Sequence, residues 1–221
     1  MLSIHYLAQS SAAYLVARLP EGQNKPQVEV VAFGLEVALG ASLQLIAFVA
    51  VAWYLGLLPE MMAALITMAT YRLLAGGVHC SAYYRCLILS LLTLVLLASL
   101  GRWLASILGG SLMVGVVAVF AASLVIAWRR APADTAAAPI INPVRRARLK
   151  KACYLWLVLW LAVVSLGYYL GWPGSSTLAS SLMALVFQGF ALTPPGFAVV
   201  GRADGLLKRL LPLDKKLEGR R

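Results

Sequence analysis

The sequence predicts an all-α polytopic membrane protein with about six transmembrane helices, an N-terminal amphipathic helix and a broken, glycine-containing cytoplasmic segment. Three features lead there. Apolar residues fill 62% of the 221 positions and charged ones 12%, with a mean hydropathy of +0.85, well beyond the composition of soluble domains. These residues gather into long runs separated by short turns containing Gly or Pro. The net charge of +11 is concentrated in two stretches.

In chain order, residues 2–19 carry Ile4, Leu7, Tyr14, Leu15 and Leu19 at roughly helical spacing, with Gln9, Ser10 and Ser11 between, which predicts an interfacial amphipathic helix. A basic n-region ahead of a continuous apolar core is missing, so no cleavable signal is expected. Residues 20–26 form a polar, turn-rich break. The first span is expected at about 30–57. A second apolar stretch, 61–75, is short for a span and would tilt, thin the bilayer or be re-entrant. Further spans are expected at about 86–100, 106–128, 152–170 and 177–192. The chain is thus read as one membrane-embedded domain: an interfacial helix and linker (1–29), a transmembrane bundle (30–200) and a basic cytoplasmic tail (201–221).

Charge sets the orientation. Arg129, Arg130, Arg145, Arg146, Arg148, Lys150 and Lys151 share one connection with a single acid, Asp134, and the C-terminal tail adds Arg202, Lys208, Arg209, Lys215, Lys216, Arg220 and Arg221. The turns at 56–60, 101–105 and 171–176 hold Arg102 as their one base. Both basic stretches are therefore expected in the cytoplasm. Counting two spans from Cys86 to the basic connection puts the segment before the third span there too, and six full crossings add the N-terminus. Cys80, Cys86 and Cys153 then lie at the reducing face, where no structural disulfide is expected.

That segment, YRLLAGGVHCSAYYRC over residues 71–86, is the main polar interruption in the chain. A thiol needs an imidazole or another positive neighbour to become a useful nucleophile near neutral pH. His79 and Cys86 suit that pairing, but on one unbroken helix seven residues separate them by about 10.5 Å along the axis. The backbone must break, and Gly76-Gly77 supplies the break. Ser81 is expected to cap a new helix carrying Cys86. The same residue types also suit an interfacial anchor and a small core residue, and His79, Cys80 and Cys86 as a zinc site lack a fourth ligand. Glu36, an acid at membrane depth, needs compensation: as a third catalytic member orienting His79, or as a structural partner of Arg72 or Arg85. Gln188, near the end of the last span, is read as a helix contact that could also hold substrate backbone or an oxyanion. Cys153 is expected to be a packing residue.

The pattern Arg72-x4-Gly77-x-His79-x6-Cys86 resembles the signature of the accessory gene regulator protein B (AgrB) family, membrane endopeptidases that process quorum-sensing propeptides. Further stretches match in order: Phe33-Gly34-Leu35-Glu36, Ala131-Pro132-Ala133-Asp134-Thr135, Pro139-Ile140 and Leu192-Thr193-Pro194. Cys80 stands outside the family pattern. The resemblance implies a catalytic His79–Cys86 pair and a thioester on Cys86 that a cysteine of the propeptide attacks to close a thiolactone. Arg72, Gly77, Arg85 and Gln188 are expected to bind substrate. Arg145, Arg146 and Arg148 are expected to attract the propeptide's acidic C-terminal region, although positive-inside topology alone also explains them. The resemblance further implies a homodimer, a bilayer environment and no cofactor. No nucleic acid is expected, since the basic stretches lack interleaved aromatics. A small transporter subunit and an assembly protein without chemistry are the alternatives; the near-solitary Glu36 weighs against a translocation path.

Overall fold

The computed structural model describes residues 4–20, 25–78, 80–134 and 139–211. Its regular elements are eight α-helices: α1 (Ile4–Ala17), α2 (Val28–Tyr54), α3 (Leu58–Ala75), α4 (Tyr83–Leu108), α5 (Leu112–Arg130), α6 (Pro143–Leu170), α7 (Ser175–Ala191) and α8 (Pro194–Leu210). A helix covers each stretch expected to span, with shifted bounds. α6 starts nine residues before the expected 152, because Asn142 accepts hydrogen bonds from the Val144 and Arg145 amides and Pro143 opens the first turn. A 3-10 turn at Gly109–Ser111 separates α4 from α5. By length and composition three segments can cross a membrane, Val28–Tyr54, Tyr83–Arg130 and Pro143–Leu170, or four if α7 and α8 form one bent span.

The chain divides into two compact units, residues 1–51 and 52–221. In the first, Ala8 and Ala12 of α1 are buried while Tyr6, Leu7, Tyr14 and Leu15 are exposed. His5 Nδ1 lies 3.0 Å from Glu36 Oε2 on α2. Within this unit, His5 supplies a partner for Glu36.

The second unit is built around α7, of whose 17 residues 11 are buried. Its small side chains let neighbours approach closely. Gly101 of α4 packs so tightly on Ser180 that a Cβ there would collide with the Ser180 backbone. Ser181 bonds Thr67 of α3 at 2.6 Å and accepts from Trp160 Nε1 of α6 at 2.9 Å, a polar join of three helices. Ala98 of α4 faces Ser180, whereas Gly115 and Ile126 of α5 face Leu182 and Gly189. α5 therefore runs parallel to α7. α4 runs antiparallel to both, with Cys86 and Leu89 at the Phe187–Ala191 end. That end also holds the α3–α4 and α5–α6 connections. At the opposite end Arg102 bonds the nearly buried Glu60 at 2.9 Å and the Gly56 carbonyl at 2.7 Å.

Residues 194–210, assigned from sequence to the end of the bundle and the start of the tail, form a helix. Thr193 caps it by accepting from the Gly196 amide, and Pro194 fits the first turn. α8 turns 93° from α7 and carries Arg202, Asp204, Lys208 and Arg209.

Candidate active site

The site forms where α3 stops. Gly76 and Gly77 take φ of +74° and +136°, the region closed to most L side chains. The break is held from three directions: the Gly76 amide donates to Arg72 O at 2.9 Å, Gln188 Nε2 donates to Gly76 O at 2.9 Å, and the Ala133 amide donates to Ala75 O at 2.8 Å. Gly76 and Ala133 form a short parallel bridge, and a Cβ on Gly76 would strike the Ala133 carbonyl. The glycine pair and the 131–134 motif, far apart in sequence, are thus one piece of structure.

Around this break the structure gathers Arg72, Gly77, Cys80, Cys86 and Gln188. Arg72 donates from Nη2 to Val78 O, fixing the descending chain. Gln188 is fully buried, and a Cβ on Gly77 would lie 3.4 Å from its Nε2 and 3.9 Å from Arg72 Cζ. A cavity of about 40 Å³ opens between Arg72, Val78, Cys80, Cys86, Ser90 and Phe187. Cys86 is half-buried in the first turn of α4, with its sulfur 4.0 Å from Ser90 Oγ. Burial pushes the Cys80 thiol up to about 11, the neighbouring Cys86 and Asp204 add to the rise, and Arg72 opposes it. His79 lies outside the described residues. Its neighbour Val78 and the next residue Cys80 both line the cavity.

Ser81 does not cap α4. Ala82 holds the cap position and has no side chain to offer. Ser81 instead turns to Asp204 of α8, giving Oδ2 its hydroxyl at 2.6 Å and its amide at 3.2 Å. Arg85, 2% exposed, donates from Nε to Asp204 Oδ1 at 2.8 Å and from its two terminal nitrogens to Tyr84 Oη and Ser81 Oγ. Burial would raise the Asp204 carboxyl, but the bonds from Ser81 and Arg85 leave it below the usual range. Sequence reasoning missed Asp204. Its one signal was a lone acid among Arg202, Lys208 and Arg209.

Arg145, Arg146 and Arg148 are exposed and lie on the opening turns of α6, not within a loop. Arg146 pairs with Asp134 at 2.6 Å. Asp134 also accepts from the Ile140 amide, and that bond leads the interactions holding its carboxyl below the usual range.

Residues 8–192 match the family model described as accessory gene regulator B. The chain belongs to that AgrB family. An AgrB-like protein of Clostridium acetobutylicum is 29% identical over 152 residues, 69% of this chain and 68% of that protein. No solved structure matches. The AgrB match takes in the glycine break, Cys86, Ala133 and Gln188 and ends just before the Thr193 cap, so α8 and Asp204 lie beyond it.

Proposed function

We propose that this AgrB-family protein is a membrane-integrated cysteine endopeptidase that cleaves the C-terminal region of a quorum-sensing propeptide and promotes thiolactone closure of the peptide. The observation that carries the reading is the half-buried Cys86 on the first turn of a helix, lining one cavity with Arg72 and Val78 next to the Gly76-Gly77 break.

The chemistry follows from those groups. The His79 imidazole takes the Cys86 proton, and the thiolate adds to the scissile carbonyl carbon. The Arg72 guanidinium, lining the cavity, favours the oxyanion. As the C–N bond breaks, the imidazolium returns the proton to the leaving amine, leaving the N-terminal fragment as a thioester on Cys86. A cysteine within that fragment then attacks the thioester carbonyl, forming the ring bond and releasing the Cys86 thiolate. Tethering makes this second attack intramolecular, and exclusion of water at a membrane face protects the thioester meanwhile. Exchange of amide for thioester is uphill, so removal of product or of the released fragment draws the reaction forward.

The proposed setting is six crossings by α2 to α7, with the Cys86 end and both termini in the cytoplasm. Arg145 and Arg148, exposed near the paired Arg146, offer a positive surface for an acidic propeptide region. Glu36 enters as a candidate third member, and full turnover in Glu36→Gln would remove it. Reconstitution with a propeptide bearing an amphipathic leader, a central cysteine and an acidic tail tests the reading. Wild type and Cys80→Ala should cleave, while Cys86→Ala and His79→Ala should lose on the order of 10³-fold or more. Cleavage by Cys86→Ala at the wild-type rate would refute it.

A further inference from the structure

We infer that Asp204 is a positioning residue for Cys86: from α8 it fixes the chain entering α4 by binding Ser81, just ahead of the helix, and the Arg85 side chain on its first turn. The inference rests on the peptidase reading above. One carboxylate binds the Ser81 amide and hydroxyl through Oδ2 and Arg85 through Oδ1. Arg85 also grips Ser81 and Tyr84. A second tie runs from Tyr84 Oη to the Leu211 carbonyl, just past α8, at 3.0 Å. Residues 81, 84 and 85 are therefore held by α8 within the turn that precedes and opens onto Cys86. Residue 81 is also two positions after residue 79, so the same clamp bounds the far side of the break whose near side Gln188 and Ala133 hold.

A clamp of this kind acts on geometry. Small displacements of a nucleophile cost far more in rate than in binding, whereas α8 itself contributes none of the described residues lining the cavity except Val200. The bonds to Asp204 are charge-assisted, and Asp204→Asn keeps the shape of the side chain while removing its charge.

The test uses the full-length protein in liposomes with the propeptide described above. Three quantities are followed: single-turnover adduct formation on Cys86, KM, and the pH profile of Cys86 alkylation in a Cys80→Ala background. Asp204→Asn is expected to slow adduct formation about tenfold or more with KM within about twofold, to change the alkylation profile, and to keep its thermal unfolding close to wild type. Asp204→Glu should recover part of the rate. Adduct formation in Asp204→Asn within twofold of wild type would overturn the inference. So would a loss that tracks thermal unfolding while the alkylation profile stays unchanged. If the wild-type protein forms no adduct, the peptidase reading fails instead, and the alkylation profile alone decides whether Asp204 positions the thiol.

Discussion

Cys80 and Cys86 line one small cavity, near enough for their side chains to interact, and differ in what surrounds them. With its thiol pushed up to about 11 by burial and by the neighbouring Cys86 and Asp204, Cys80 is almost wholly protonated at neutral pH. Iodoacetamide should label it slowly at pH 7.5, with a rate rising about tenfold per pH unit until its thiolate dominates. Peptide mapping by mass spectrometry checks this; rapid neutral-pH labelling would contradict it. Gly76 makes a second residue-level prediction. An alanine there meets both a positive φ and the Ala133 carbonyl, so it should cost more than the ~1–3 kcal/mol of the backbone conformation alone. Thermal unfolding in detergent should fall and cleavage should be lost. Gly201→Ala, in open space on α8, should be neutral or slightly stabilising.

The helices carry predictions about joints. α4 and α7 meet through Gly101 and Ser180, so Gly101→Val should separate them and destabilise the second unit by roughly 2–4 kcal/mol, as overpacking against backbone does. α8 is joined to the α4 entrance by a carboxylate held below its ordinary value. Such a group stabilises the folded state fully above its unfolded pKa, about 4, and less as pH falls through the folded value. Proteolytic protection of residues 194–210 should therefore hold at pH 6 and weaken below about pH 4, and Asp204→Asn should flatten that dependence. On α6, neutralising Arg145, Arg146 and Arg148 should weaken binding of an acidic propeptide and reduce its salt sensitivity. Unchanged binding at raised ionic strength would leave these residues to topology alone. The helices were legible in the sequence because apolar runs and turn residues are local signals: α3 ends at Gly76, whereas the start of α6 at Asn142-Pro143 was missed because its first turns are basic, not apolar. α8 was not legible, because its charges read as a solvated tail and its start depends on Thr193 acting as a cap.

In the whole molecule, sequence spacing identified the glycine break, the family pattern named Arg72, Gly77 and Cys86, and position near the end of the last span singled out Gln188; the fold gathers all four at one end of the second unit. What spacing could not give were contacts between distant positions. Arg85 and Asp204 are 119 residues apart and Gln188 and Gly76 are 112 apart, pairings that exist only once α7 and α8 have packed. The same limit explains why His5 was not foreseen as the partner of Glu36, 31 residues away. Orientation is a molecular property too: single cysteines introduced at Ser106 and Asn142 should be reached by an impermeant maleimide from opposite sides of the membrane, Asn142 from the cytoplasmic side. The central proposal is that Cys86 becomes acylated by the propeptide. Intact-mass and fragment analysis of protein quenched during turnover should find the N-terminal propeptide fragment on Cys86, released by hydroxylamine and absent from His79→Ala. Turnover with no such adduct on Cys86, or an equal adduct without His79, would contradict it.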